Sequence, residues 1–97
     1  MNVKLIRMWS GEDVVADLIK ENEDFVVIAN PIVAVPSDRQ GNIGFAPWSP
    51  IHKGEGQEIE VIKSYVVYIT DTKDEIIEQY NEMYTAVATP PKKRLIL

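Results

Sequence analysis

The longest apolar stretch of the chain, "FVVIANPIVAV" at residues 25–35, carries a proline in its middle. Pro31 has no N–H to give to a strand ladder. A strand containing it must lie at an edge, hold a bulge or bend sharply. An Asn-Pro step inside a strand suits a small, strongly curved sheet.

The neighbouring segments fit such a sheet. "VKLIRMWSG" (3–11) alternates, with Val3, Leu5 and Trp9 on one face and Lys4, Ile6 and Met8 on the other, although Arg7 shares the first face. "SGED" turns, and "DVVADLIKE" (13–21) follows with β-branched residues that favour a hairpin over a helix. "NED" turns again before the Pro31 strand. "PSDRQGN" (36–42) and "HKGEGQ" (52–57) are polar loops. "EIEVIKSYVVYIT" (58–70) is the strongest β signal. The period then changes. In "TDTKDEIIEQYNEMYTAVA" (70–88), Ile76, Ile77, Tyr80, Met83, Tyr84 and Val87 recur at helical spacing. Thr72 with Glu75 forms a capping box, and "TPP" stops the helix. The expected architecture is mainly β: a strongly bent, five-stranded antiparallel sheet or partly closed barrel, with a C-terminal α-helix over 72–88 closing one open end. One domain spans residues 1–89, and residues 90–97 are a tail.

Composition narrows the function classes. The 97 residues hold 10 basic and 15 acidic side chains, a net charge of −5. Three of the basic ones are Lys92, Lys93 and Arg94, so residues 1–91 carry 7 basic against 15 acidic, or −8. Phosphate backbones are drawn to concentrated positive charge, so nucleic acid would have to bind locally or at the tail. No apolar run reaches the length of a membrane span, and the N-terminus lacks the unbroken apolar core of a signal peptide. The absence of cysteine excludes a disulfide framework and fits a cytoplasmic location. His52 is the single histidine, so no metal site is expected. Ser49 lies three residues from His52 in a proline-rich loop, which is not a nucleophile–base arrangement. Glu58 and Glu60 share one strand face and read as solvated. No catalytic residue and no cofactor is expected.

"VIKSYVVYI" (61–69) resembles the second signature of the Sm and Sm-like family: an apolar strand, Arg or Lys, Gly, a polar residue, then "VV" or "VI". Ile62, Lys63, Val66, Val67 and Ile69 match; Ser64 stands for the glycine and Tyr65 for the usual Asn or Asp. "VKLIRMWSGEDVVADL" and "DFVVIANPIVAV" look like the three strands of the first signature. The likeness covers roughly residues 3–70 and is strongest to the short Sm-like proteins of marine cyanophages. The N-terminal helix usual in the family is absent here.

The resemblance implies a non-enzymatic, ring-forming module. Its fourth and fifth strands would pair between neighbouring copies, satisfying edge groups that otherwise invite aggregation. It also implies single-stranded RNA bound at Lys63, with Tyr65 able to stack on a base and Asp24 near the family's asparagine position. No aromatic precedes Asp24 as the family pattern requires. Glu21, Glu23 and Asp24 would repel phosphate. The alternative is a phage-encoded ring, in the host cytoplasm, that binds a protein partner and has lost RNA. In this frame "IGFAPWSP" (43–50) belongs to the hairpin before the second signature. Phe45 and Trp48 then either seal the barrel end or pack against the next subunit. The seam is the stronger expectation, because aromatics are enriched in interface cores. Val66 and Tyr68 would join it on the last strand.

Overall fold

The computed structural model describes residues 1–36, 43–49, 51, 53 and 56–84. Six strands form one antiparallel sheet: β1 (Val3–Met8), β2 (Asp13–Glu21), β3 (Phe25–Pro36), β4 (Ile43–Pro47), β5 (Glu58–Ile62) and β6 (Val66–Thr70). A 3-10 turn at Lys63–Tyr65 joins β5 to β6, and one helix, α1 (Asp74–Tyr84), follows. Residues 85–88 of the expected helix lie outside the described residues. The helix opens on Lys73, whose carbonyl accepts the N–H of both Ile76 and Ile77, rather than on Thr72.

The sheet order is β4-β3-β2-β1-β6, with β5 also on β3. β3 is long enough to serve two partners along one edge: Phe25–Ala29 pair with β5, and Ile32–Pro36 pair with β4. Its corner lies at Asn30–Pro31. On the β2 side, Asp17 faces Ala29 and Val15 faces Ile32, so β3 holds one residue more than β2 across this step. That is a bulge. Asn30 sits at φ 51, a left-handed conformation that asparagine tolerates better than most side chains. Pro31 is fully buried at the bend it was expected to mark.

Because side chains alternate along a strand, one extra residue swaps the faces beyond it. Before the bulge, Val26 and Ile28 point to one side. After it, Ile32 points to the other. Each face therefore gets its own core. One, termed the inner core, gathers Ile6, Met8, Val14, Ala16, Val26, Ile28 and Val61. The outer one gathers Val3, Val15 and Ile32 under Tyr80 of α1.

Two expectations change. The sheet has six strands, not five, because "IGFAP" adds β4 at the end of the sheet, where Pro47 is tolerated. The sheet stays open, in keeping with a bent, only partly closed sheet: among the described residues β5 and β6 pair with β3 and β1 but not with each other. The helix does not cap an open end. It lies on the outer face of β1–β3, since Val3, Leu5, Val15 and Ile32 leave that face apolar too.

Tyr80 fastens the helix down. It is fully buried, and its hydroxyl donates to the carbonyls of Ala29 (3.1 Å) and Asn30 (3.0 Å) at the bulge. Its ring meets Tyr84 at 4.8 Å between centroids, tilted by 47°. The next carbonyl, on Pro31, accepts the Trp48 N–H at 3.0 Å, and Asn30 Oδ1 accepts the Gly56 N–H at 2.8 Å. The irregular corner thus has its polar groups answered from α1, from the residue after β4 and from the loop before β5.

Candidate assembly edges and nucleic-acid face

The turn between β2 and β3 is built on Asn22. Its Oδ1 accepts the N–H of Asp24 (2.8 Å) and of Phe25 (2.9 Å), and its own N–H donates to the Phe25 carbonyl (3.0 Å). The Lys63–Tyr65 turn docks against it, with the Lys63 N–H on the Asp24 carbonyl at 2.8 Å. Asp24 and Lys63, far apart in sequence, are therefore neighbours. On its other side the same turn meets the β1–β2 hairpin, where the Trp9 N–H donates to the Tyr65 carbonyl at 2.8 Å.

The Lys63 ammonium is occupied within the chain. Nζ donates to the Asn22 carbonyl at 2.9 Å and pairs with Glu21 Oε2 at 2.7 Å. Glu23 and Asp24 stand exposed on the same β2–β3 turn. The Lys63 charge is thus already matched to a carboxylate, and with exposed Lys20 beside Glu21 the turn carries three carboxylates (Glu21, Glu23, Asp24) against two lysines among the described residues. Tyr65 is 40% exposed and Trp9, on the adjoining hairpin, 69%. Two aromatic side chains are therefore available at this end of the molecule.

The second feature is the open seam. β5 uses one edge on β3 and β6 uses one edge on β1. Among the described residues, the other edge of each has no ladder partner. Ile62 and Val67, which flank the connecting turn, are 67% and 53% exposed, and Tyr68 is 44% exposed. The Arg7 guanidinium lies 5.9 Å from the Tyr68 ring centroid. It is held by Asp13 through Nε (2.6 Å) and Nη2 (3.1 Å), and this hydrogen-bonded carboxylate raises the arginine pKa further.

Of the four residues expected at a subunit seam, Tyr68 stands exposed on β6. Val66 is half-buried against the inner core. Trp48 packs on the same core, and its indole Nε1–H donates to the Glu12 carboxylate at 3.0 Å. Phe45 packs into the outer core beside Ile76 and Tyr80. Both aromatics of the "IGFAPWSP" stretch therefore have packing partners within their own chain. Sequence reasoning did not single out Ile62, Val67 or Trp9 for this surface. Their one signal was an apolar residue at a place where the strand alternation allows no buried face.

His52 lies outside the described residues. Among the described residues no three His, Cys, Asp or Glu side chains are grouped to hold a metal ion, and no helix is long and apolar enough to cross a membrane. Neither family models nor curated proteins give a match to this chain.

Proposed function

We propose that the protein is a non-enzymatic, self-assembling Sm-like module, working in the cytoplasm, whose copies join edge to edge into a ring. The observation that carries this reading is the open seam. β5 and β6 are consecutive, separated by a three-residue turn, yet among the described residues each leaves one ladder edge unpaired and flanked by exposed apolar side chains. Unpaired edges of this kind are normally blunted by charge or covered. Pairing β5 of one copy with β6 of the next satisfies both. The contact is head-to-tail and closes if the rotation per copy permits. Light scattering tests it: the native protein should give a multiple of the 11.0 kDa chain mass. An Ile62→Lys/Val67→Lys double variant should give the monomer. A monomeric native protein would end this reading.

Single-stranded RNA at the turn is the second reading. The docking of Lys63 on Asp24 and the exposed ring of Tyr65 favour it, and the Glu21 ion pair together with the acidic surround oppose it. Lys63→Ala should weaken oligouridylate binding at fixed salt. Unchanged affinity leaves the protein-binding ring as the remaining form of the proposal.

A further inference from the structure

The two free edges match in length and in the pattern of both faces. β5 and β6 each hold five residues. Laid antiparallel and end to end between two copies, Glu58 meets Thr70, Ile59 meets Ile69 and Glu60 meets Tyr68. Val61 then meets Val67 and Ile62 meets Val66. The faces agree in this alignment. Ile59 and Ile69 both pack on the inner core, so their pair continues that core from one copy into the next. Glu58, Glu60, Tyr68 and Thr70 are exposed and alternate with them, on the opposite face. A slip of one residue would set a glutamate against Ile69. A slip of two keeps the faces but gives up two of the five pairs. The full overlap also draws Ile62 and Val67, 67% and 53% exposed, into the seam.

The chemistry of the two edges is complementary. β5 presents carboxylates: among the described residues neither Glu58 nor Glu60 has a cation partner. β6 presents donors. Tyr68 stands opposite Arg7 in the β1–β6 ladder, with the guanidinium 5.9 Å from its ring centroid. Asp13 accepts from Nε and Nη2 of Arg7. Nη1 and the Tyr68 hydroxyl have no acceptor among the described residues. A strand added beyond Tyr68 lies about 4.8 Å from it, which brings a glutamate opposite Tyr68 within side-chain reach of both donors. Hydrogen bonds to an ionised carboxylate are stronger than neutral ones. Two β5 edges placed against each other would instead oppose Glu60 to Glu60, and like charges directly opposite destabilise a ladder.

We propose that the seam forms in the full-overlap register and that Glu60 of one copy is received by Arg7 and Tyr68 of the next. The inference rests on the edge-to-edge reading and makes that contact directional. The carboxylate edge selects the donor edge, so copies join head to tail and do not pair β5 to β5.

The test uses full-length protein. The chain has no cysteine, so thiols can be introduced in chosen pairs. Glu58→Cys/Thr70→Cys leaves the proposed contact intact and puts one thiol on each edge, directly opposed and within disulfide reach. Mild oxidation should link copies into a ladder of multiples of 11.0 kDa on a non-reducing gel. Ile62→Cys/Thr70→Cys, four residues out of register, should link roughly tenfold more slowly or less. Separately, Glu60→Arg places a cation beside Arg7. It should raise the dissociation constant between copies roughly tenfold or more, read by light scattering on dilution, with an unchanged circular dichroism spectrum. Equal linking of the two cysteine pairs in an oligomeric protein would overturn the register. Native affinity in Glu60→Arg would overturn the contact. Either result leaves the edge-to-edge reading standing, whereas a monomeric native protein would end both.

Discussion

Replacing Tyr80 by phenylalanine removes one oxygen from the point where the helix, the bulge and the outer core meet. The ring and its contact with Tyr84 stay, so the change isolates the hydroxyl. That hydroxyl is the donor shared by the carbonyls of Ala29 and Asn30. Ala29 is buried and Asn30 half-buried, so water can replace the lost donor at the second carbonyl more readily than at the first. Stranding a buried polar group costs about 1–3 kcal/mol. With one of the two acceptors recoverable by solvent, the expected loss is about 1.5 kcal/mol. A domain of this size is stable by roughly 5–15 kcal/mol, and such a loss lowers Tm by roughly 6–12 °C. Urea unfolding followed by far-UV circular dichroism measures it directly, with the midpoint falling and the slope unchanged. A loss below about 0.3 kcal/mol with an unchanged slope would mean that the hydroxyl does not serve the bulge. The account of how the helix is fastened would then be wrong.

The same phenol sets an alkaline limit. Burial, the largest cause, raises the Tyr80 pKa well above its ordinary 10.0. The folded state then holds a proton that the unfolded chain releases, so its stabilisation is complete below pH 10 and is lost as pH rises beyond it. Alkaline unfolding should begin above pH 10 in the native protein, and that component should be missing in Tyr80→Phe. At the bulge, Asn30→Ala should cost about 1–2 kcal/mol, from strain at φ 51 and loss of the Gly56 hydrogen bond. Asn30→Gly loses the same bond but not the conformation, so calorimetry should find it less harmful than alanine. Trp48→Ala should destabilise the fold by about 3 kcal/mol, since it empties a seat on the inner core and removes the indole hydrogen bond to Glu12. Light scattering should show the same number of subunits as in the native protein. A fall to monomer would put Trp48 at the seam after all.

Much of the fold was legible because local patterns decide it. Alternation in residues 3–8 and 58–62, the Ser10-Gly11 turn, the apolar stripe of α1 and the bend at Pro31 each follow from a few neighbouring residues. What was not legible depends on contacts between distant ones. Nothing near Phe45 announces that β4 will extend the edge of β3 already begun by β5. Whether Ile76 and Tyr80 cover an end or a face depends on which sheet face remains apolar. The bulge decides that by turning Ile32 outward. The candidate site divides along the same line. The sequence singled out Lys63 and Asp24, which the fold brings together through a backbone hydrogen bond. It did not disclose that Glu21, from the neighbouring hairpin, already holds the lysine. The pairing of Trp48 with Glu12 was hidden in the same way, because an indole among prolines gives no hint of its acceptor.

The attachment of β1 carries a consequence for biosynthesis. Its register with β2 is complete once residue 17 exists, but its other edge waits for Leu5 to meet Thr70, and its outer face waits for α1. Chains emerge from the ribosome N-terminal end first. For most of translation the first strand made is therefore half-paired, with Val3, Leu5 and Val15 uncovered. The nascent chain passes through a stage in which its stickiest strip is its oldest. Truncations that end before residue 70 should accumulate as aggregates or chaperone clients rather than as smaller folded proteins.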